Sequence, residues 1–231
     1  MIKLTLFLGA TALGASLACA QNPALPDLVL NAARVQSSLR FEIRNFTRND
    51  CAVQEGLVRG IGKRALVRFD VSAANLGTAD LFLGDPATQT NLFILSPCHR
   101  HYHFSGYATY ELLNASGTAI VTGRKQAFCL EDFEPAVPNP IPARYNCGYQ
   151  GISVGWADTY ASYLDGQWLD VTGVPPGNYF LRVIINPYNV TLWQGGTIDP
   201  ANVPTALAMQ ESDYSNNTAV VPVQIPVFKL K

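Results

Sequence analysis

Charge is scarce in this 231-residue chain: Asp, Glu, Lys and Arg together make up 14% and the formal net charge is −1. No run of Lys or Arg occurs, which argues against a protein that grips nucleic acid through its phosphates. Beyond the first 20 residues there is no apolar stretch of about 20 residues, the length a spanning helix needs, so no membrane contact is expected. Repeats and low-complexity linkers are absent too, and helical periodicity is rare. What is present is a hydrophobic fraction of 48%, with 15 Pro and 18 Gly. Such a chain can bury a core, which excludes a disordered or collagen-like protein. It reads as mainly β: an antiparallel β-sandwich with long loops and little helix.

The first 20 residues read as a processing signal. Lys3 supplies the positive end, Leu4 to Leu17 the apolar stretch and Ala18-Cys19-Ala20 a cleavage site, so a mature single domain over 21–231 is expected. A lipid-anchored Cys19 fits less well, because Ser16 stands three residues before it. The expected location is extracellular, or the cell envelope or periplasm in a bacterium. Cys51, Cys98, Cys129 and Cys147 remain after cleavage. An even number in an oxidising compartment implies two disulfides, with three connectivities open.

Strand-like runs are read at Arg64 to Val71, Gly106 to Leu113, Thr118 to Gly123, Gln167 to Val171, Tyr179 to Asn186 and Thr218 to Ile225. Leu113 to Thr118 has hairpin-turn chemistry. In the fifth run apolar residues fall on both faces, so burial on both sides is expected. Glu131 to Arg144 holds four prolines and is expected to be a long ordered loop.

All three histidines lie in one pentapeptide, His99-Arg100-His101-Tyr102-His103. In an extended strand, alternate side chains share a face with Cα atoms about 6.5 Å apart, which would aim three imidazoles the same way. Three neutral imidazoles with an open position suit Zn(II) or Cu(II), and the affinity order favours copper. Metal-assisted hydrolysis would need a neighbouring carboxylate as base, and none lies within Cys98 to Phe104.

Ser96-Pro97-Cys98-His99-Arg100-His101-Tyr102-His103 resembles the copper segment of lysyl oxidases. Gly123 to Asp132 is similar to the segment with that family's cofactor lysine. Asp158-Thr159-Tyr160, followed by Asp165-Gly166-Gln167-Trp168, resembles the segment with its cofactor tyrosine. Glu211 to Asn217 looks like the C-terminal signature, and Pro26-Asp27-Leu28-Val29 like the start of the catalytic domain. The resemblance implies a copper-dependent oxidase of primary amines, among them lysine side chains of proteins. His99, His101 and His103 would hold Cu(II), while Tyr160 and Lys125 would supply the ring and the amine of a lysine tyrosylquinone. Judged alone, Lys125 and Tyr160 read as an ordinary surface lysine and an ordinary core tyrosine. A different class of reading is a secreted metal-binding β-sandwich without the quinone, serving adhesion or metal storage.

Asp27, Glu211, Asp213, Asn216 and Asn217 offer hard oxygen ligands, and the resemblance implies a structural Ca(II) among them with the Leu28 carbonyl. It also implies the pairings Cys51–Cys98 and Cys129–Cys147. The chain departs from the animal enzymes where Trp156, Gly166 and positions near Gly56 and Pro135 replace cysteines, and in an insertion from Thr191 to Met209.

Overall fold

The structure, a computed structural model, describes residues 23–89, 92–127, 129–187 and 209–230, with backbone alone for 105–106 and 124–127. The expected signal segment, and the insertion apart from Met209, lie outside these residues.

The chain begins with β1 (Leu28–Leu30), α1 (Ala32–Ser37), β2 (Arg40–Phe46) and α2 (Cys51–Gln54). It continues through β3 (Gly62–Arg68), β4 (Val71–Asn75), β5 (Leu81–Gly84), β6 (Phe93–Ser96), β7 (His101–Leu113) and β8 (Ala119–Ala127). Then follow β9 (Glu134–Pro135), β10 (Gln150–Ile152), β11 (Trp156–Tyr160), β12 (Trp168–Asp170), β13 (Gly177–Ile185) and β14 (Thr218–Ile225). All pairings are antiparallel. The sheets are ordered β1-β4-β11-β9, β10-β5, β12-β3-β2 and β14-β13-β7-β6, with β8 also on β7. The protein is therefore mainly β with little helix, as its composition implies. Among the described residues no helix is long and apolar enough to cross a membrane.

The 13-residue β7 is the spine. β8 lies along one side of it, and β6 and β13 share the other at opposite ends. Its neighbours close a large core around Tyr107, Tyr110, Leu112, Phe69, Leu181 and Ile185. A second cluster of Phe46, Ala52, Val58, Leu66 and Trp168 clamps α2 against β2, β3 and β12.

Two expectations are corrected here. The run Arg64 to Val71 is not one strand, because the chain changes sheets at Phe69-Asp70. Asp70 anchors that corner: its backbone N–H donates to Ser38 Oγ at 2.7 Å, and its carboxylate accepts from Ser162 N and Arg34. The run Tyr179 to Asn186 is buried on one face only. Leu181, Val183 and Ile185 are covered, whereas Arg182 and Ile184 are half-buried and Phe180 is 41% exposed, since among the described residues no sheet closes over the outer face. The hairpin at Leu113 to Thr118 forms as read. Asn114 Oδ1 accepts from Ser116 N and Thr118 N, and Gly117 takes the positive φ the turn requires.

Candidate metal and cofactor site

The pentad is not a single strand. Residues 97–100 form the turn between β6 and β7, closed by Arg100 N donating to Ser96 O at 2.8 Å. Arg100 has φ 60°, the left-handed region that ends an extended run. Only His101 and His103 therefore share a strand face. His99 arrives from the turn above them. The ring centroids are nevertheless 5.5 Å apart for His99–His101, 5.3 Å for His99–His103 and 4.8 Å for His101–His103. Nε2 of His103 and Nε2 of His101 stand 3.0 Å apart. Two nitrogens each about 2 Å from one ion are separated by about 3 Å, so this donor set fits a transition metal.

The carboxylate absent from the local sequence comes from elsewhere. Glu55, capping the C-terminus of α2, places Oε1 2.9 Å from His99 Nδ1 and accepts from Ser96 Oγ at 2.5 Å. Ligand atoms of Glu55, His99 and His103 all lie within 4.8 Å of one another. Glu55 is 44 residues from His99 in sequence. The available signal was Cys51: the Cys51–Cys98 disulfide brings the start of α2 beside the residue preceding His99.

Tyr160, the last residue of β11, is 3% exposed. Its hydroxyl donates to the Cys129 carbonyl at 2.5 Å, and its ring lies 5.3 Å from that of Tyr107. Burial pushes its phenol well above the usual tyrosine value, and the charge of Asp158, on the same strand face, adds to this. Tyr107 is fully buried, and its hydroxyl has no hydrogen-bond partner among the described residues. Lys125 lies on β8 with its backbone opposite Ala108, the neighbour of Tyr107. The same pair of strands sets Phe104, next to His103, opposite Ala127. β7 thus carries His101 and His103 at its start, and near its middle Tyr107 against the Tyr160 ring and Ala108 opposite the Lys125 backbone. The bonds Cys51–Cys98 and Cys129–Cys147 both form, matching the pairing that the resemblance implied.

The oxygen cluster lies elsewhere, where β1 meets the segment before β14. Glu211 Oε2 accepts from Leu28 N, and its Oε1 accepts from Asn186 Nδ2 at 2.5 Å and Asn217 Nδ2 at 2.8 Å. Asn216 Nδ2 donates to Asp27 Oδ1 at 2.8 Å. The side-chain oxygens of Asn216 and Asn217 are buried without a hydrogen-bond partner among the described residues. Two orphaned oxygens beside two carboxylates fit a hard cation. Gly77 permits this approach: a Cβ there would lie 2.5 Å from Asp27 N. Burial raises the Glu211 carboxyl above its usual value, and the nearby Asp27 charge adds to it. Asp213 is instead exposed, its carboxylate accepting from Ser215 N at 2.7 Å.

A family model described as lysyl oxidase matches residues 26–194. Lysyl oxidase homolog 2 from Homo sapiens is 37% identical over 221 residues, covering 90% of this chain and 25% of the relative. The Xenopus tropicalis homolog 2 is 37% identical and the Homo sapiens homolog 4 is 36% identical, each over 204 residues, 83% of this chain and 24% of the relative. The chain spans about a quarter of the length of these curated relatives.

Proposed function

Because this chain belongs to the lysyl oxidase family, we propose that it is a secreted, copper-dependent oxidase of primary amines, lysine side chains included, with a quinone made from its own Lys125 and Tyr160. The observation that carries this reading is the 3.0 Å approach of His101 Nε2 and His103 Nε2 beneath the His99 ring, within the family's segment. His99, His101 and His103 would hold the copper. Copper would supply oxygen-dependent oxidation of the tyrosine ring, and a lysine tyrosylquinone would supply an electrophilic carbonyl through which amine, oxygen and water become aldehyde, ammonia and hydrogen peroxide.

The chain's own residues do the rest. The Cys129 carbonyl fixes the Tyr160 hydroxyl and keeps its proton directed at the backbone. Tyr107 packs beside the ring, and burial excludes water there. Lys125 lies on β8, four residues before Cys129, with its backbone opposite Ala108. Asp27, Leu28, Glu211, Asn216 and Asn217 would hold a structural Ca(II), with Asp213 at its exposed margin. Secretion accords with the two disulfides, which persist in oxidising compartments.

The test is direct. Purified protein loaded with copper under air should release peroxide from a simple alkylamine and give a coloured adduct with phenylhydrazine. A tryptic map of the reduced and alkylated protein, with the Cys129–Cys147 bond opened, should still show the peptides of Lys125 and Tyr160 as one joined mass. Fully metallated protein that yields two separate peptides and no peroxide overturns the oxidase and leaves a metal-binding β-sandwich.

A further inference from the structure

We propose that Glu55 is a positioning residue for the metal ligand His99, fixing which nitrogen of that imidazole faces the ion; this rests on the copper reading above. An imidazole binds metal through a nitrogen that carries no proton. Which nitrogen that is depends on the hydrogen bond made by the other. The 2.9 Å contact is between Glu55 Oε1 and His99 Nδ1. An ionised carboxylate only accepts, so the shared proton belongs on Nδ1 and the lone pair on Nε2.

The carboxylate is itself held from three directions. Ser96 Oγ donates to Oε1 at 2.5 Å and accepts from His99 N at 3.0 Å, which ties the ring's backbone and its partner to one hydroxyl. The Cys51–Cys98 disulfide pins the first turn of α2 to the residue before His99. Trp168 Nε1 donates to Leu57 O at 3.0 Å, fixing the chain just beyond Glu55. Glu55 is 5% exposed, so water competes little for the bond. Its second oxygen, Oε2, is buried with no hydrogen-bond partner among the described residues. An unpartnered carboxylate oxygen carries a cost of burial, so this glutamate is an expensive choice for packing alone.

Two variants separate the possibilities. Glu55→Met keeps volume and removes the acceptor; Glu55→Gln keeps an acceptor and removes the charge. Loss of such an orienting partner typically costs 10–100-fold in metal affinity. Competition titration with Cu(II) should therefore show Glu55→Met weaker by about that factor and Glu55→Gln within about threefold of wild type. Nitrogen-15 NMR of the metal-free protein should report His99 protonated on Nδ1 in wild type and Glu55→Gln, and shifted toward the Nε2-protonated tautomer in Glu55→Met. Copper bound to Glu55→Met should also show an altered paramagnetic resonance spectrum.

Wild-type affinity and tautomer in Glu55→Met overturn the proposal. Equal weakening in both variants also overturns it, in favour of Glu55 as a direct ligand or a bare charge. His101→Ala is the control: if it loses copper while Glu55→Met does not, only the role of Glu55 falls. If wild type takes up no copper at all, the copper reading falls with it.

Discussion

Tyr160 and Lys125 are the two residues on which the proposed chemistry turns, and Tyr160 is the one whose side-chain setting is described. The tyrosine hydroxyl is buried and donates to a backbone carbonyl. Tyr160→Phe leaves that carbonyl without its donor, a cost of about 1–2 kcal/mol. The variant should therefore melt a few degrees lower, bind copper normally and oxidise no amine. Lys125→Arg should also bind copper and stay inactive, since guanidinium keeps its proton near neutral pH and cannot act as the nucleophile. Metal analysis beside a peroxide assay checks both, and turnover in either variant removes that residue from the cofactor. Neither role was legible from residue chemistry, because most lysines and tyrosines look like these two. Only the surrounding segments singled them out. The histidines were legible, since three of three fell within five residues. Glu55 was not, because no local pattern joins groups 44 residues apart.

The β6–β7 hairpin is the element that converts a pentad into a cluster. Had residues 99–103 stayed extended, the three rings would have formed a row along one face. Arg100 instead bends the chain, so His99 folds back over the strand. A left-handed conformation costs an ordinary residue about 1–2 kcal/mol, more when the side chain is β-branched, and glycine almost nothing. Arg100→Val should lower thermal stability by the extra cost of β-branching alone, since the arginine already carries the ordinary one, and should weaken copper binding. Arg100→Gly should match or exceed wild-type stability and keep the metal. Equal copper affinity in the valine variant would show that the bend does not set the geometry. The elements best read from sequence were those with plain alternation and turn residues at both ends: Thr218–Ile225 is a strand over the span read. The break at Phe69-Asp70 was hidden, because apolar residues continue on both sides of it and a single Asp does not by itself mark a change of sheet. The corner is marked by the bonds of Asp70 to Ser38 Oγ, the Arg34 guanidinium and the Ser162 backbone N–H.

At the scale of the molecule, the N-terminal β1 and the segment before β14 are sewn together by the Asp27–Glu211–Asn216–Asn217 cluster. The proposed cation there would act as a cross-link between chain regions 183 residues apart. A ligand at 100 times its dissociation constant stabilises the folded state by about 2.7 kcal/mol. Added calcium should raise the melting temperature of the metal-stripped protein, and Glu211→Gln should abolish most of that rise. Scanning calorimetry with and without calcium decides it; an unchanged wild-type melting point removes the cation from the cluster. The mainly β architecture was legible from composition and alternation. Its division into four sheets was not, since pairing partners depend on contacts between distant strands.

The Cys51–Cys98 bond has a consequence in time as well as in space. During synthesis Cys51 and Glu55 leave the ribosome well before Cys98, which follows Cys51 by 47 residues. Until that bond closes, α2 has no covalent hold on the turn, and His99 lacks the fixed carboxylate behind it. A chain kept reduced then offers copper the pair on β7 with an untethered third ligand. If copper binds as proposed, oxidation of this one thiol pair would have to come before metal loading, and a copper ion met earlier, while the thiols are reduced, would find a site not yet built.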